Sequence, residues 1–199
     1  EKTFLGHTGR FNGEDIIDII VREPATSRFI CRHLYNFFVA DEPQVPSWTI
    51  EPARDEAALE TMINSFETSG YNMKAVLRTM FRADFFKNAR FSKIKSPAEV
   101  GAGTLRLVGL YQFPAPGIKD IGQQPGYMGQ SLLDPPSVEG WHTGPEWINS
   151  GSLLARVNFV ADRVADTTLP GIKNIISRCK ARGVATPRQL VDAALEEMG

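Results

Sequence analysis

Along nearly the whole chain the apolar residues recur every three or four positions and almost nowhere alternate, which fits helices buried on one side and excludes an extensive sheet. The breakers agree with that period. Asn12 or Gly13 can open a first helix carrying Ile16, Ile17 and Ile20, and Glu23-Pro24 closes it because the residue before proline is pushed out of helical geometry. A second helix, from Ala25 to Val39, sets Phe29, Ile30, Leu34, Phe37 and Phe38 at helical spacing, a stripe that reads as core. Pro52 suits the start of a third, with Leu59, Met62, Ile63 and Phe66 on one face up to Gly70. Asn72 then caps a fourth bearing Met73, Val76, Leu77, Met80 and Phe81, and the two together predict an antiparallel hairpin.

Ser96-Pro97-Ala98-Glu99 is a capping box with proline at the first helical position. It predicts a helix through Val100, Thr104, Leu107, Val108 and Tyr111, stopped at Phe113-Pro114-Ala115-Pro116-Gly117. Beyond a long irregular stretch, Ser150 or Ser152 starts a helix with Leu153, Leu154, Val157, Val160 and Val164. Ile172, Ile175, Ile176 and Cys179 mark another, stopped at Gly183, and Thr186-Pro187-Arg188-Gln189 is a second capping box ahead of Leu190, Val191, Ala194 and Leu195. Glu1 to Leu5 reads as the end of a strand, followed by a turn through Gly6, Gly9 and Gly13. The expected fold is all-α: an irregular multi-helix domain with long Gly/Pro/Trp-rich loops and at most a short N-terminal strand. Residues 1–199 form a single helical domain or the C-terminal portion of a larger helical protein.

Composition narrows the partners. With 22 basic against 23 acidic residues the net charge is -1, so no nucleic acid is expected and any polyanion contact must be local. The longest apolar runs, such as Ile16 to Val21, are far too short to span a bilayer, so no transmembrane segment is expected in this piece. Cys31 and Cys179 lack the paired spacing of a zinc or redox motif and read as small core residues. The chain starts at Glu1 with no export signal and reads as an excerpt.

Several stretches taken in order carry a family resemblance: Gly13-Glu14-Asp15-Ile16-Ile17-Asp18, Pro24-Ala25-Thr26-Ser27-Arg28-Phe29-Ile30, Phe37-Phe38-Val39 and Lys93-Ile94-Lys95-Ser96-Pro97. They continue in Gly129-Gln130-Ser131-Leu132-Leu133-Asp134-Pro135-Pro136-Ser137-Val138-Glu139-Gly140-Trp141, Trp147-Ile148-Asn149 and Leu153-Leu154-Ala155-Arg156. The set resembles the bacterial domain of unknown function 1800 family over nearly the whole chain. That resemblance implies the C-terminal half of a longer exported protein, a periplasmic or extracellular setting, and a neighbouring alkaline-phosphatase-like or sulfatase-like hydrolase as a partner in the envelope. It implies no mechanism.

Two segments are able to carry binding chemistry. From Asp84 to Lys95 four cations interleave with three phenylalanines and lead into the helix start at Ser96, so Arg90, Lys93, Lys95 and Ser96 form a candidate site for phosphate, sulfate or carboxylate. The competing reading has the phenylalanines anchoring a loop while the lysines stay solvated. From Gly117 to Gly151, Trp141 and Trp147 stand near Gln130, Glu139, His142, Glu146 and Asn149, a set that suits a sugar or peptide ligand. Its alternative is a packed loop whose indoles fold back onto the helix bearing Leu153, Leu154 and Val157.

HExxH, nucleophile-elbow, P-loop and dinucleotide motifs are all missing, so whether the chain is an enzyme is open, and no cofactor is expected. A metal site is not expected either, since His7, His33 and His142 would have to converge with Asp15 or Glu139. Arg28 and Arg32, one turn apart, are expected to pair with acids. The leading expectation is a scaffolding or partner-binding helical module. A glycan or anionic-polymer binder and an uncharacterised envelope enzyme are the alternatives.

Overall fold

A computed structural model describes residues 1–111, 113–141 and 143–198, the side chains of 197 and 198 excepted, and among them ten α-helices carry most of the chain. The chain divides into two compact units, Glu1–Lys93 and Ile94–Gly199, taken in turn.

The first unit opens with a hairpin, where β1 (Lys2–Phe4) pairs antiparallel with β2 (His7–Gly9) in the register Lys2↔Gly9 and Phe4↔His7. Leu5 and Gly6, with φ of 46° and 80°, make the left-handed two-residue turn that the twist of a hairpin favours. The expected glycine turn thus extends the expected strand into a pair. Asn12 and Asp15 cap α1 (Gly13–Arg22) reciprocally, and Glu23 ends it in extended geometry before Pro24, as the proline demands. Then come α2 (Pro24–Phe38), a 3-10 turn (Val45–Thr49), α3 (Glu56–Thr68), α4 (Met73–Arg82) and the short α5 (Asp84–Lys87), which the sequence reading did not foresee.

α3 and α4 form the predicted hairpin, with Asn72 capping α4 and the Ser65 and Thr79 hydroxyls 2.9 Å apart across it. Leu59, Met62, Phe66, Val76 and Met80 meet Cys31, Tyr35 and Val39 in the core. Two expectations need correction. α2 buries Ser27, Cys31, Arg32 and Tyr35; of its expected stripe Ile30 and Leu34 pack against the core, but Phe29, Phe37 and Phe38 stay at 50%, 70% and 36% exposure. The helix is turned by its arginine, for which the loop after it provides a buried acid. Pro52 does not start α3: Asp55 caps it by accepting from the Ala58 N–H, and the Pro52 carbonyl is spent on Arg32.

In the second unit α6 (Pro97–Val108) packs against α7 (Ile118–Tyr127), α8 (Ser150–Val164) and α9 (Pro170–Ala181), and α9 against α10 (Pro187–Met198). The Ser96 capping box is present as predicted. α6 ends sooner than expected, at Gly109 with φ of 76°, so Tyr111 lies outside it. α9 crosses that end closely: a Cβ on Gly171 would sit 1.8 Å from the Leu107 carbonyl oxygen. α7 corrects the expectation of one irregular stretch, for Gly122, Pro125 and Gly126 disguise it in the sequence, and Pro125 is buried in its last turn. α8 is capped by Asn149 and buries Ser152, Arg156 and Phe159. Its expected stripe faces outward instead, with Leu153, Leu154 and Val157 at 45%, 61% and 55% exposure. Cys31 and Cys179 are both buried free thiols. No helix among the described residues is long and apolar enough to cross a membrane.

Candidate functional site

Four of the seven expected ligand-binding residues come together. Trp141, Trp147, Glu146 and Asn149 line one cleft with Met128, Gly129 and Pro136, of about 180 Å³. The start of α8 fixes one wall: Asn149 Oδ1 accepts from the Ser152 N–H at 2.9 Å, and Ser152 Oγ donates to the Trp147 carbonyl at 2.8 Å. Trp147 is buried and Trp141 half-buried. The volume is below the roughly 300 Å³ at which ligand pockets usually begin, so the cleft suits a single ring. Gln130 and Glu139 do not line it. Gln130 Oε1 instead accepts from the Ala98 N–H at 2.9 Å, and Glu139 is exposed.

Arg90 and Lys93 of the basic segment belong to the first unit, Lys95 and Ser96 to the second. Lys93 Nζ is 3.0 Å from Asp41 Oδ1 and donates to the Asn36 carbonyl at 2.6 Å, while Arg90 lies over the Phe91 ring at 4.7 Å. At the start of α6 the Ser96 N–H donates to Glu99 Oε2, the Glu99 N–H to Ser96 Oγ and the Ala98 N–H to Gln130. The backbone donors an anion would use are therefore already taken. Lys95 lines a cleft of about 280 Å³ between α6 and α8, with Glu99, Val100, Gly103, Thr104, Leu107 and Val160.

Both arginines of α2 pair with acids, as expected. Arg28 Nη2 grips Glu56 at 2.6 and 2.9 Å, and this hydrogen bonding holds the Glu56 carboxyl below its ordinary range. Arg32 is far more enclosed. Its Nε and Nη2 lie 2.8 and 2.7 Å from Glu42 Oε2, its other donors reach the Glu51 and Pro52 carbonyls at 3.0 and 2.9 Å, and its guanidinium lies 4.7 Å from the Trp48 ring. Glu42 Oε1 also accepts from the Arg54 N–H, so this buried pair ties the 41–54 loop to α2.

The histidines are placed apart where described. His7 shares a cleft of about 510 Å³ with Phe11, Asp15, Asp18, Ile19, Arg22 and Glu23. His33 stands 4.4 Å from Phe29 and 4.6 Å from Trp48, ring to ring, and its burial lowers its pKa. His142 lies outside the described residues. Among the described residues no group of three or more His, Cys, Asp and Glu side chains is placed to hold a metal ion. Burial pushes the Cys31 thiol up to about 12, which leaves it a poor nucleophile at neutral pH.

The sequence reading assigned one more group to the core that the structure puts on the surface. Phe37, Phe38, Phe81 and Phe86 form a chain of edge-to-face rings with centroids 4.7, 5.2 and 5.0 Å apart. It rises from half-buried Phe86 to Phe81, Phe38 and Phe37 at 43%, 36% and 70% exposure. Arg78 and Arg82 on α4 are exposed beside Phe81, with no ion-pair partner among the described residues. The available signal was the surplus of aromatic residues on α2, more than one helix face can bury.

No curated protein and no solved structure matches the chain. The family model described as "Protein of unknown function (DUF1800)" matches residues 1–198, essentially the whole chain, and the protein therefore belongs to the DUF1800 family.

Proposed function

We propose that this chain is a helical recognition module that binds a protein partner through the aromatic surface formed by Phe37, Phe38 and Phe81. The observation that carries the reading is the unbroken ring contact from Phe86 to Phe37. Soluble domains rarely expose contiguous apolar surface, and aromatic rings with arginine beside them are what binding hot spots are made of. Arg78 and Arg82 call for an acidic rim on the partner. The family resemblance suggests an exported setting and, as the partner, the neighbouring phosphatase-like or sulfatase-like hydrolase. Titration calorimetry of the chain against that hydrolase is expected to show saturable binding, weakened at least tenfold by Phe37→Ser or Phe81→Ser with little change in melting temperature. Absence of binding by the native chain, or equal binding by both variants, refutes the assignment. A second reading, a glycan ligand at the Trp141 and Trp147 cleft, rests on the convergence of the two indoles with Asn149 and Glu146. Retention on an immobilised glycan lost in Trp141→Ala would place it first.

A further inference from the structure

α8 turns two arginines inward, Arg156 and Arg163, with Phe159 between them on the same face. Arg163 is partly accounted for: its guanidinium lies 3.6 Å from the Phe159 ring centroid and Nη1 donates to the Phe159 carbonyl at 2.9 Å, and of its nitrogens only Nε is buried without a hydrogen-bond partner. Arg156 is not accounted for. The residue is 7% exposed, Nη1 donates to the Lys95 carbonyl at 2.7 Å, and Nε and Nη2 are shut from solvent with no hydrogen-bond partner. A guanidinium does not escape by losing its proton, so a buried one with vacant donors is held at a cost that a counter-ion would remove.

The unpartnered donors share one edge. Nε–H and Nη2–H leave the guanidinium on the same side, the edge that grips the oxygens of a carboxylate or of a tetrahedral oxoanion. Arg32 in this same chain shows that edge filled: also buried, its Nε and Nη2 both reach the Glu42 carboxylate, at 2.8 and 2.7 Å. Arg156 presents the same edge, and among the described residues no carboxylate is paired with it.

We propose that the Nε/Nη2 edge of Arg156 is a binding site for an oxoanion, carboxylate or sulfate in type, brought by a ligand from outside the described chain. Access is by the cleft between α6 and α8, lined by Lys95 and by Val160, one turn beyond Arg156; Arg156 itself does not line it, so the side chain must turn to bring its edge there. Nothing lies within 4 Å of where a Cβ on Gly103 would stand, so that part of the wall is open. The ligand anion draws the guanidinium toward the cleft and meets the Lys95 ammonium there. This site is independent of the aromatic surface, and either proposal stands if the other fails.

The test uses the full chain with acetate and sulfate as probes, replacing chloride at constant ionic strength. A saturable rise in melting temperature is expected for one or both probes, distinct from the unsaturating stabilisation that sulfate gives proteins in general. Arg156→Met should abolish the saturable part while melting in chloride no lower than the native chain, because an uncompensated buried charge has been removed. Arg156→Lys keeps the charge without the fork and should weaken the apparent affinity at least tenfold. No saturable response in the native chain, or the same response in Arg156→Met, overturns the proposal. Should the Met variant fail to fold, the Arg156 Nε–H resonance of the native chain decides: a shift on adding acetate or sulfate supports the site, and no shift overturns it. A Glu99→Gln variant that moves this resonance without added anion shows an internal carboxylate on the edge and also overturns it.

Discussion

Glu42→Leu is the substitution to which the first unit should be most sensitive. The Glu42 and Arg32 side chains are 0% and 2% exposed, so removing the acid strands a guanidinium that water cannot reach and takes the acceptor from the Arg54 N–H. Breaking one side of a buried pair costs about 3 to 5 kcal/mol. At roughly 2 to 4 °C per kcal/mol for a chain of this size, the melting temperature should fall by about 6 to 20 °C. The exposed pair is the internal control: Arg28 and Glu56 are 40% and 44% exposed, and Arg28→Ala should cost about 1 kcal/mol or less. The double variant Arg32→Met with Glu42→Leu should be more stable than Glu42→Leu alone, since no buried charge is left, although the Glu51 and Pro52 carbonyls lose their donor. Differential scanning calorimetry of five proteins measures this: the native chain, Glu42→Leu, Arg28→Ala, the Arg32→Met single variant and the double variant. A Glu42→Leu chain within about 1 kcal/mol of native, or a double variant whose loss equals the sum of the single losses, refutes the argument that the uncompensated charge sets the cost.

Gly171→Ala should cost about 3 kcal/mol or more in urea unfolding, because its Cβ falls 1.8 Å from the Leu107 carbonyl oxygen and 2.7 Å from the Val108 carbonyl carbon, and backbone cannot step aside as a side chain can. Gly122→Ala, with nothing within 4 Å of the new methyl inside α7, should instead gain up to about 1 kcal/mol. Trp147→Ala should cost about 3 to 5 kcal/mol and half-buried Trp141→Ala clearly less, so equal losses in thermal melts would contradict the placement of the indoles. His33 has its pKa lowered by burial, so below its ordinary value of about 6.5 the unfolded chain takes up the proton first. Stability is therefore complete above that value and falls as pH drops from it toward the folded pKa, and His33→Phe should flatten this slope in melts between about pH 5 and 7.

Helix existence and helix ends were legible because they depend on local chemistry. Asn12, Asn72 and Ser96 cap in place by side chain to backbone hydrogen bonds that need no tertiary partner, and Pro24 ends α1 by sterics within two residues. α7 was hidden because Gly122, Pro125 and Gly126 carry low helix propensity, which its packing on α6 overrides. At the Trp141 and Trp147 cleft, the sequence marks Asn149 as a ligand residue and places the start of α8 at Ser150 or Ser152, whereas the cap is Asn149 itself. The position of Gln130 was not legible, because its partner Ala98 lies 32 residues away. Periodicity misjudged part of the buried face of α2, where Ile30 and Leu34 do pack on the core but Phe29, Phe37 and Phe38 do not, and the face of α8 that turns inward; the two errors share a cause.

Each of those helices carries an arginine on its buried face and leaves large apolar side chains outside, which inverts the usual gain, since burying a phenylalanine or leucine is worth roughly 1.5 to 3 kcal/mol. For α2 the inversion is understood from within the chain. Glu42 and two carbonyls match the donors of Arg32, and of the outward rings Phe37 and Phe38 gather into one surface with α4 and α5 while Phe29 packs with His33 and Trp48. For α8 it is not, because Arg156 keeps one carbonyl partner and two idle donors while Leu153, Leu154 and Val157 face outward. An arrangement that forgoes apolar burial and also leaves a cation unanswered is not explained by stability. The physical demand that remains is for an anion at Arg156, and its charge and two-pronged geometry say what kind of group would meet it.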